Sequence, residues 1–233
     1  MPRAPHPRFA GKSGMGPRGD AILQFDWAVG EILNTLDRLK LAGNTLVVLT
    51  SDNGPVLDDG YADQAVEKVG AHKPAGPLRG GKYSAFDAGT RVPFIARWPG
   101  AVKRGSSNAL MCQIDLVASV AALTGTSLGA ADAPDSFDML APLQGTTDTG
   151  REHLVEQGAA LSLMAGPWKY IEPSSGPAIE RGTNIELGHS PDPQLYNLDE
   201  DIGETRNLAG QHPARVSQMA ERLKTIRAGT RTR

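Results

Sequence analysis

The sequence has a single cysteine, no long hydrophobic run and no marked excess of charge of one sign. Cys112 alone cannot form an intrachain disulfide, which excludes a disulfide-stapled scaffold. No stretch approaches the roughly 18 consecutive apolar residues of a membrane span, so no membrane helix is predicted. The chain has 24 basic and 26 acidic residues, a formal net charge of −2. Since phosphate binding needs clustered lysine and arginine, the lack of a long basic run argues against a nucleic acid partner.

What the sequence does contain is enough apolar residues for a folded core. The apolar types AVILMFWYC make up 39% of the 233 residues, and 27 glycines add to them. This is the usual level of globular proteins and argues against wholesale disorder. The pattern of elements changes near residue 150, which predicts two units. Residues 1–150 are predicted to be α/β, and residues 151–233 to be a small β-rich part with a helix.

The first unit is predicted to combine helices with short strands. Apolar residues recur at helical spacing from Asp20 to Leu41, with Asp20 as the N-cap and Gly43 as the stop. The β-branched apolar run 44–50 predicts a strand buried on both faces, as in a parallel sheet flanked by helices. Pro93 places the second predicted strand, 92–98, near a strand start or at a sheet edge.

The remaining elements follow from shorter patterns. The first unit is predicted to contain two more helices, over 61–69 and 113–124. In the second unit, β-rich segments separated by Gly and Pro turns predict strands over 153–157, 168–172 and 194–198. A closing helix is predicted over 213–226.

Two local features have the composition of a ligand site. Asp52 and Asn53 directly follow the first strand, and their side-chain oxygens suit a hard divalent cation such as Ca²⁺ or Mg²⁺. The alternative is an ordinary Asp-Asn-Gly turn. Further on, glycines lie beside Arg79 and Lys82, an arrangement that lets a backbone approach an oxyanion beside a positive charge. The alternative here is a surface loop with solvated charges.

Taken together these features resemble the sulfatase family of the alkaline-phosphatase-like superfamily. The resemblance rests on Thr50-Ser-Asp-Asn-Gly54, Gly76-Pro-Leu-Arg-Gly-Gly-Lys82, Gly89-Thr-Arg-Val-Pro-Phe94 and Trp98-Pro-Gly100. It continues in Leu195-Tyr-Asn-Leu-Asp199 and Glu204-Thr-Arg-Asn-Leu-Ala209, which look like the family's C-terminal sheet. Nearly the whole chain is covered. The resemblance implies part of an alkaline-phosphatase-like mixed or parallel sheet flanked by helices, then a small antiparallel sheet with a closing helix.

The resemblance also implies a chemistry. Sulfatases hydrolyse sulfate esters of carbohydrates or aryl alcohols with Ca²⁺ and a formylglycine made from Cys or Ser. By this resemblance Asp52 and Asn53 match the second pair of metal ligands, and Lys82 matches the lysine that binds sulfate and assists the leaving group. Arg79 is a candidate second anion ligand, whereas Arg91 is expected to brace the loop through carboxylates such as Asp87.

Several parts of the family pattern are not found in this sequence. The nucleophile motif C/S-x-P/A-x-R and the first pair of metal carboxylates are absent, and the context of Cys112 at a predicted helix start suggests a buried apolar role instead. His6 is a candidate for the family's catalytic histidine, although that position can also fall before Met1. His72 is a candidate contact for a sulfated sugar, or a solvated loop histidine.

These departures predict a sulfatase segment that is inactive alone. The alternatives are a non-catalytic remnant, a split chain that needs an N-terminal sulfatase partner, or a related phosphohydrolase, the last disfavoured by the presence of only five histidines. An uncovered sheet edge predicts association of the isolated chain. Family members are typically periplasmic or extracellular, but the Pro- and Arg-rich first residues show no signal peptide.

Overall fold

The computed structural model describes residues 3–229, so the outer ends of the predicted units 1–150 and 151–233 lie outside the described residues. The helices and strands follow in the order α1 (Gly16–Arg38), β1 (Val47–Thr50), β2 (Phe94–Arg97), α2 (Leu116–Thr124), α3 (Leu140–Leu143), β3 (Leu154–Gln157), β4 (Leu161–Ala165), β5 (Trp168–Ile171), β6 (Ile179–Glu180), β7 (Ile185–Glu186), β8 (Gln194–Asn197) and α4 (Pro213–Ala228). No helix in this range is long and apolar enough to cross a membrane.

The first unit contains a two-stranded sheet in which β1 pairs antiparallel with β2, with Thr50 opposite Phe94. The expectation of a β1 strand buried on both faces in a parallel sheet is therefore wrong for this chain. All four β1 residues are only half-buried, because β2 is the sole strand that pairs with β1 among residues 3–229. The α/β class itself, with a separate small antiparallel sheet and a closing helix, is confirmed.

Helix α1 starts four residues earlier than the sequence pattern predicts, at Gly16, with Pro17 in its first turn. Asp20 is thus a buried residue inside the helix and does not cap it. Its carboxylate instead accepts hydrogen bonds from the backbone amides of Gly11 and Ser13 at 2.7 and 2.9 Å, which lowers its pKa. The helix ends at Arg38, before Gly43.

The predicted helix over 61–69 does not form. Asp63 is buried, its Oδ1 accepts from the amide of Ala65 at 3.1 Å, and its Oδ2 pairs with Arg3 at 2.9 Å. Gln64 has φ +58°, a left-handed conformation that cannot continue a right-handed helix. The segment is therefore a series of turns held by the Asp63 carboxylate.

The second unit is built on an antiparallel sheet in the order β3-β4-β5-β8. β4 and the short β6–β7 pair were not predicted from the sequence. Side chains alternate between the two faces of the sheet. Leu163, Tyr170 and Leu195 lie on one face, where they pack against Met219 and Leu223 of α4.

The opposite face of this sheet contacts the first unit. Ile171 and Tyr196 pack there against Ala85 and Phe86, with the rings of Phe86 and Tyr196 edge to face at 6.1 Å. The segment that follows Lys82 in sequence is therefore part of the core of the second unit. The predicted boundary near residue 150 stays a prediction, and a shared core crosses it.

Candidate active site

The turn after β1 places Asp52 and Asn53 at the surface, with Asp52 exposed and Asn53 half-buried. The Asn53 amide nitrogen donates to the carbonyl of Gly54 at 2.9 Å, which leaves the side-chain oxygen as the atom suited to a cation. Thr50 and Ser51 both accept hydrogen bonds from the side-chain amide of Gln113. The end of β1 is thus fixed to the start of the α2 segment.

Gly54 is required here by close packing. A Cβ at this position would lie 1.6 Å from the carbonyl oxygen of Ala88, so no other residue fits without a backbone shift. The close approach lets the Gly54 amide donate to the carbonyl of Gly89 at 2.9 Å. The turn that contains Asp52 therefore packs directly against the short 3₁₀ helix Asp87–Gly89.

The loop of Lys82 is joined to the same turn by a second backbone hydrogen bond. The amide of Lys82 donates to the carbonyl of Pro55 at 3.0 Å. Gly81 permits this contact, because a Cβ there would lie 2.7 Å from that oxygen. Two hydrogen bonds, from Gly54 and from Lys82, thus hold the two predicted parts of the site side by side.

Asp52, Asn53 and Lys82 line one open cleft of about 2040 Å³. Tyr83, Thr90, Arg91, Glu156 and His189 are among the other polar and aromatic residues along its walls. The Lys82 ammonium lies 5.2 Å from the centre of the Tyr83 ring. Within the described residues neither Lys82 nor Asp52 lies within 4.0 Å of an oppositely charged group, so both charges are available to a ligand.

The other candidate residues lie elsewhere. His6 is exposed beside α1, where its amide donates to Gln24 at 2.7 Å, and His72 is exposed in the turn region before Gly76. Neither lines the cleft. Their roles in catalysis and in sugar binding stay predictions, since the structure does not bring them to Lys82.

Arg79 is engaged in contacts that hold the loop. Its Nε donates to Glu186 at 2.8 Å, its Nη1 donates to the carbonyl of Glu204, and its guanidinium stacks 3.8 Å from the Phe86 ring centre. The contact with Glu186 raises the Arg79 pKa. Arg91 pairs with Asp87 at 3.2 Å, as the sequence analysis expected.

Cys112 differs from its prediction. It is half-buried and lines the cleft, where its amide donates to Asp115 at 2.8 Å. It therefore serves as the N-cap of the 3₁₀ turn Gln113–Asp115 rather than as a fully buried apolar residue.

A metal site formed from this chain alone would be incomplete. Ca²⁺ takes about six to eight oxygen ligands, whereas the β1 turn offers the side chains of Asp52 and Asn53. No group of three or more His, Cys, Asp or Glu side chains suited to a metal occurs in residues 3–229. The carboxylate and amide oxygens present do fit a hard cation in type.

A buried ion cluster formed by Asp87, Lys169, Glu204 and Glu156 lies next to this site and is not predicted from the sequence. The sequence predicts a role only for Asp87 among these residues, as a partner of Arg91. A lysine in a short β-rich segment ordinarily indicates a solvent-facing position, and no local signal marks Lys169 as buried.

The chain is similar in sequence to known sulfatases. The sulfatase family model matches residues 3–126. An N-acetylgalactosamine-6-O-sulfatase of Bacteroides thetaiotaomicron is 54% identical over 229 residues, which is 97% of this chain and 45% of that protein. Human arylsulfatase A is 30% identical over 234 residues, which is 94% of this chain and 44% of that protein.

Solved structures agree in fold. A sulfatase structure from a Bacteroides thetaiotaomicron study of glycosaminoglycan metabolism superposes with a TM-score of 0.96 at 54% identity, over 98% of this chain and 48% of that one. A sulfatase from Pseudoalteromonas sp. gives a TM-score of 0.75 at 25% identity, over 96% and 45% respectively. The chain spans less than half the length of these relatives. It belongs to the sulfatase family, a family of sulfuric ester hydrolases, and corresponds to the C-terminal part of the family's fold.

Proposed function

We propose that this chain forms one wall of a sulfatase active centre that hydrolyses O-sulfated amino sugars. The observation on which this depends is the joint placement of Asp52, Asn53 and Lys82 along one cleft by the hydrogen bonds of Gly54 and Lys82. A carboxylate, an amide oxygen and an ammonium group at one cleft suit a cation and an oxyanion bound next to each other.

Asp52 and Asn53 are proposed to hold Ca²⁺ through their side-chain oxygens. When bound, the ion would supply Lewis-acid polarisation of the sulfate oxygens. The remaining ligands, and the formylglycine nucleophile that the family resemblance implies, are proposed to come from outside residues 1–233. Asp52 is proposed in addition to influence the hydroxyl that would attack sulfur.

Lys82 is proposed to donate hydrogen bonds to the sulfate and to stabilise negative charge as the sugar oxygen leaves. An ammonium group is suited to this because charge grows on that oxygen in the transition state. Arg79 is retained as a loop brace rather than a sulfate ligand, since its donors already face Glu186 and Glu204. His72 is proposed to contact a more distant part of the sugar, and His6 to be the family histidine.

The proposed substrate is a 6-O-sulfated N-acetylgalactosamine residue of a glycosaminoglycan. Support comes from the N-acetylgalactosamine-6-O-sulfatase of Bacteroides thetaiotaomicron, which is 54% identical over 97% of this chain. The proposed partner is the remaining part of a sulfatase domain. Large exposed apolar side chains on α1, among them Phe25, Trp27 and Ile32, offer a surface for it to cover.

Reconstitution tests this proposal. Residues 1–233 would be mixed with the part of the Bacteroides relative that this chain does not span, and desulfation of N-acetylgalactosamine 6-sulfate would be followed. We expect no turnover from either piece and measurable turnover from the mixture. Lys82→Ala should abolish it, whereas Lys73→Ala, an exposed lysine outside the cleft, should leave it unchanged.

Two results would contradict the proposal. One is turnover by residues 1–233 alone that survives Lys82→Ala. The other is a reconstituted mixture that cleaves the sulfate equally well with Asp52→Ala. Calorimetric titration of the mixture with Ca²⁺ separates the metal from the catalytic role, because Asp52→Ala should weaken Ca²⁺ binding while Asp58→Ala should not.

A further inference from the structure

The buried ion cluster lies directly beneath the loop of Lys82. Lys169, Asp87 and Glu204 each have side chains with 0% exposure. The Lys169 Nζ lies 2.8 Å from Asp87 Oδ1, 3.5 Å from Glu156 Oε2 and 3.6 Å from Glu204 Oε1. Burial lowers the Lys169 pKa, but the surrounding carboxylates outweigh it and raise the pKa overall. The lysine is thus a fixed cation between three acids.

The alternation of the second sheet explains why Lys169 points into the cluster. Its neighbours on β5, Trp168 and Tyr170, belong to the face that packs on α4. Lys169 therefore lies on the opposite face, which is covered by Ala85 and Phe86 of the first unit. A charged side chain at this position is buried only because that segment covers it.

Glu204 contacts both ends of the loop that contains Lys82. Its backbone carbonyl accepts from Arg79 at the start of the loop, and its Oε2 accepts from the amide of Asp87 at the end, at 2.6 Å. The amide of Ala88 closes the loop by donating to the carbonyl of Arg79 at 3.0 Å. Glu204 itself has φ +51°, an uncommon conformation for a residue with a side chain, which these contacts hold in place.

The end of the loop that the cluster holds also contacts the turn that contains Asp52 and Asn53. Asp87 begins the 3₁₀ helix that ends at Gly89, whose carbonyl accepts from Gly54. On the other side of the loop, Lys82 donates to Pro55. A shift of the 3₁₀ helix would therefore move the turn of Asp52 and Asn53 relative to Lys82.

We infer that Lys169, Asp87 and Glu204 are positioning residues that set the distance between Lys82 and the Asp52–Asn53 turn. None of the three lines the cleft, and Lys169 and Glu204 act from the second unit through Asp87 and the loop 79–89. This inference rests on the proposed function, because it assigns these residues to that active site. The competing view is that the cluster only adds to the stability of the whole fold.

Amide hydrogen exchange, followed by NMR on the chain of 233 residues, distinguishes the two views. In Lys169→Met, the amides of Gly54 and Lys82 should exchange at least about tenfold faster, because local opening at the loop becomes easier. The exchange of the Leu163 amide in β4 should rise by a factor at least about tenfold smaller, because it reports only the loss of stability of the whole fold that follows from removing a buried lysine. Arg222→Met, which removes the exposed ion pair with Glu152, is the matched control and should change none of them.

A second pair of variants keeps the test decisive if Lys169→Met does not fold. Glu204→Ala removes the acceptor for the Asp87 amide and should speed exchange at Gly54 and Lys82. Glu204→Gln retains an acceptor oxygen and should restore exchange to within about twofold of the original protein. If the Glu204 side chain only fills space in the fold, Glu204→Ala should speed exchange at Leu163 as much as at Gly54 and Lys82.

Two outcomes would overturn the inference. One is an equal rise in exchange at Leu163, Gly54 and Lys82, which would show a purely global effect. The other is unchanged exchange at Gly54 and Lys82 in Glu204→Ala. Because the readout needs neither Ca²⁺ nor sulfate, failure of the reconstituted sulfatase assay would leave it intact, and its own failure would leave the proposed catalytic roles of Lys82 and Asp52 standing.

Discussion

The two units of the chain cover their apolar side chains to very different degrees. Of the sixteen large hydrophobic side chains that are exposed among residues 3–229, fourteen lie before residue 150. Only Ile179 and Ile202 lie after it. In the second unit, α4 covers one face of the four-stranded sheet and the segment around Phe86 covers the other. In the first unit, a two-stranded sheet leaves Ile95 with 56% exposure.

The unit that contains the candidate site is therefore not the unit that is best packed. Asp52, Asn53 and Lys82 lie in the incompletely covered unit, where few large side chains are buried. Their placement depends on the well-packed unit through the Asp87–Lys169 pair and the core around Phe86. The second unit is thus a support for the site, even though it provides none of the proposed ligands for the metal or the sulfate.

The largest expected effect concerns an ion pair that joins the two units. Arg151 and Asp115 have side chains with 4% and 1% exposure, and the Arg151 Nε donates to Asp115 at 2.8 Å. Arg151→Met would leave Asp115 buried without its cation and should lower the free energy of unfolding by about 3–5 kcal/mol. Urea denaturation measures this. Arg222→Met, at an exposed pair, should change it by less than about 0.5 kcal/mol, and equal losses would contradict the distinction.

A second test compares the two packing environments directly. Leu163 has 0% exposure between β4 and α4, so Leu163→Ala should lower the free energy of unfolding by about 2–5 kcal/mol. Ile95→Ala removes an exposed side chain and should change it by less than about 1 kcal/mol. Similar shifts in the urea midpoint for the two variants would show that the first unit is better packed than its exposure indicates.

The proton on Glu204 provides a third test. Burial raises the Glu204 pKa from 4.5 to about 7, although Lys169 and the Asp87 amide oppose the shift and Asp87 adds to it. A raised pKa in the folded state means that stability is fully present below pH 4.5 and is lost as the pH rises through about 7. The free energy of unfolding should therefore fall between pH 5 and pH 8 by up to about 3 kcal/mol.

Glu204→Gln is the reference for that measurement, since glutamine stays neutral throughout. The difference in stability between Glu204→Gln and the original protein isolates this group from other titrating residues. A difference that does not grow with pH in this window would show that Glu204 does not bind its proton more tightly in the folded state. The charged groups that face Glu204 are Lys169, Asp87 and Arg79.

The sequence allowed prediction of the features that depend on local pattern. The Ser51–Gly54 turn, the Lys82 loop, helix α2 and the closing helix α4 are all set by spacing within a few residues. The Lys169 cluster was not predictable in this way, because its burial depends on residues more than eighty positions away. The absence of a helix at 61–69 likewise depends on Arg3, which pairs with Asp63 from the far end of the chain.

The smallest expected effect concerns the exposed surface of α1, where Ile32 has 58% exposure. If this face contacts another copy of the chain when no other partner covers it, the chain should associate. Ile32→Glu should then weaken association by at least about tenfold, since removal of one large apolar contact is worth about 1.5–3 kcal/mol. The free energy of unfolding of this variant should be nearly unchanged because the Ile32 side chain is already exposed to solvent. Sedimentation velocity measures the association, with Lys224→Glu on α4 as the control. If the original protein is monomeric, the exposed apolar residues of the first unit do not cause association. The two units would then differ in how well they are packed and not in their tendency to bind another chain.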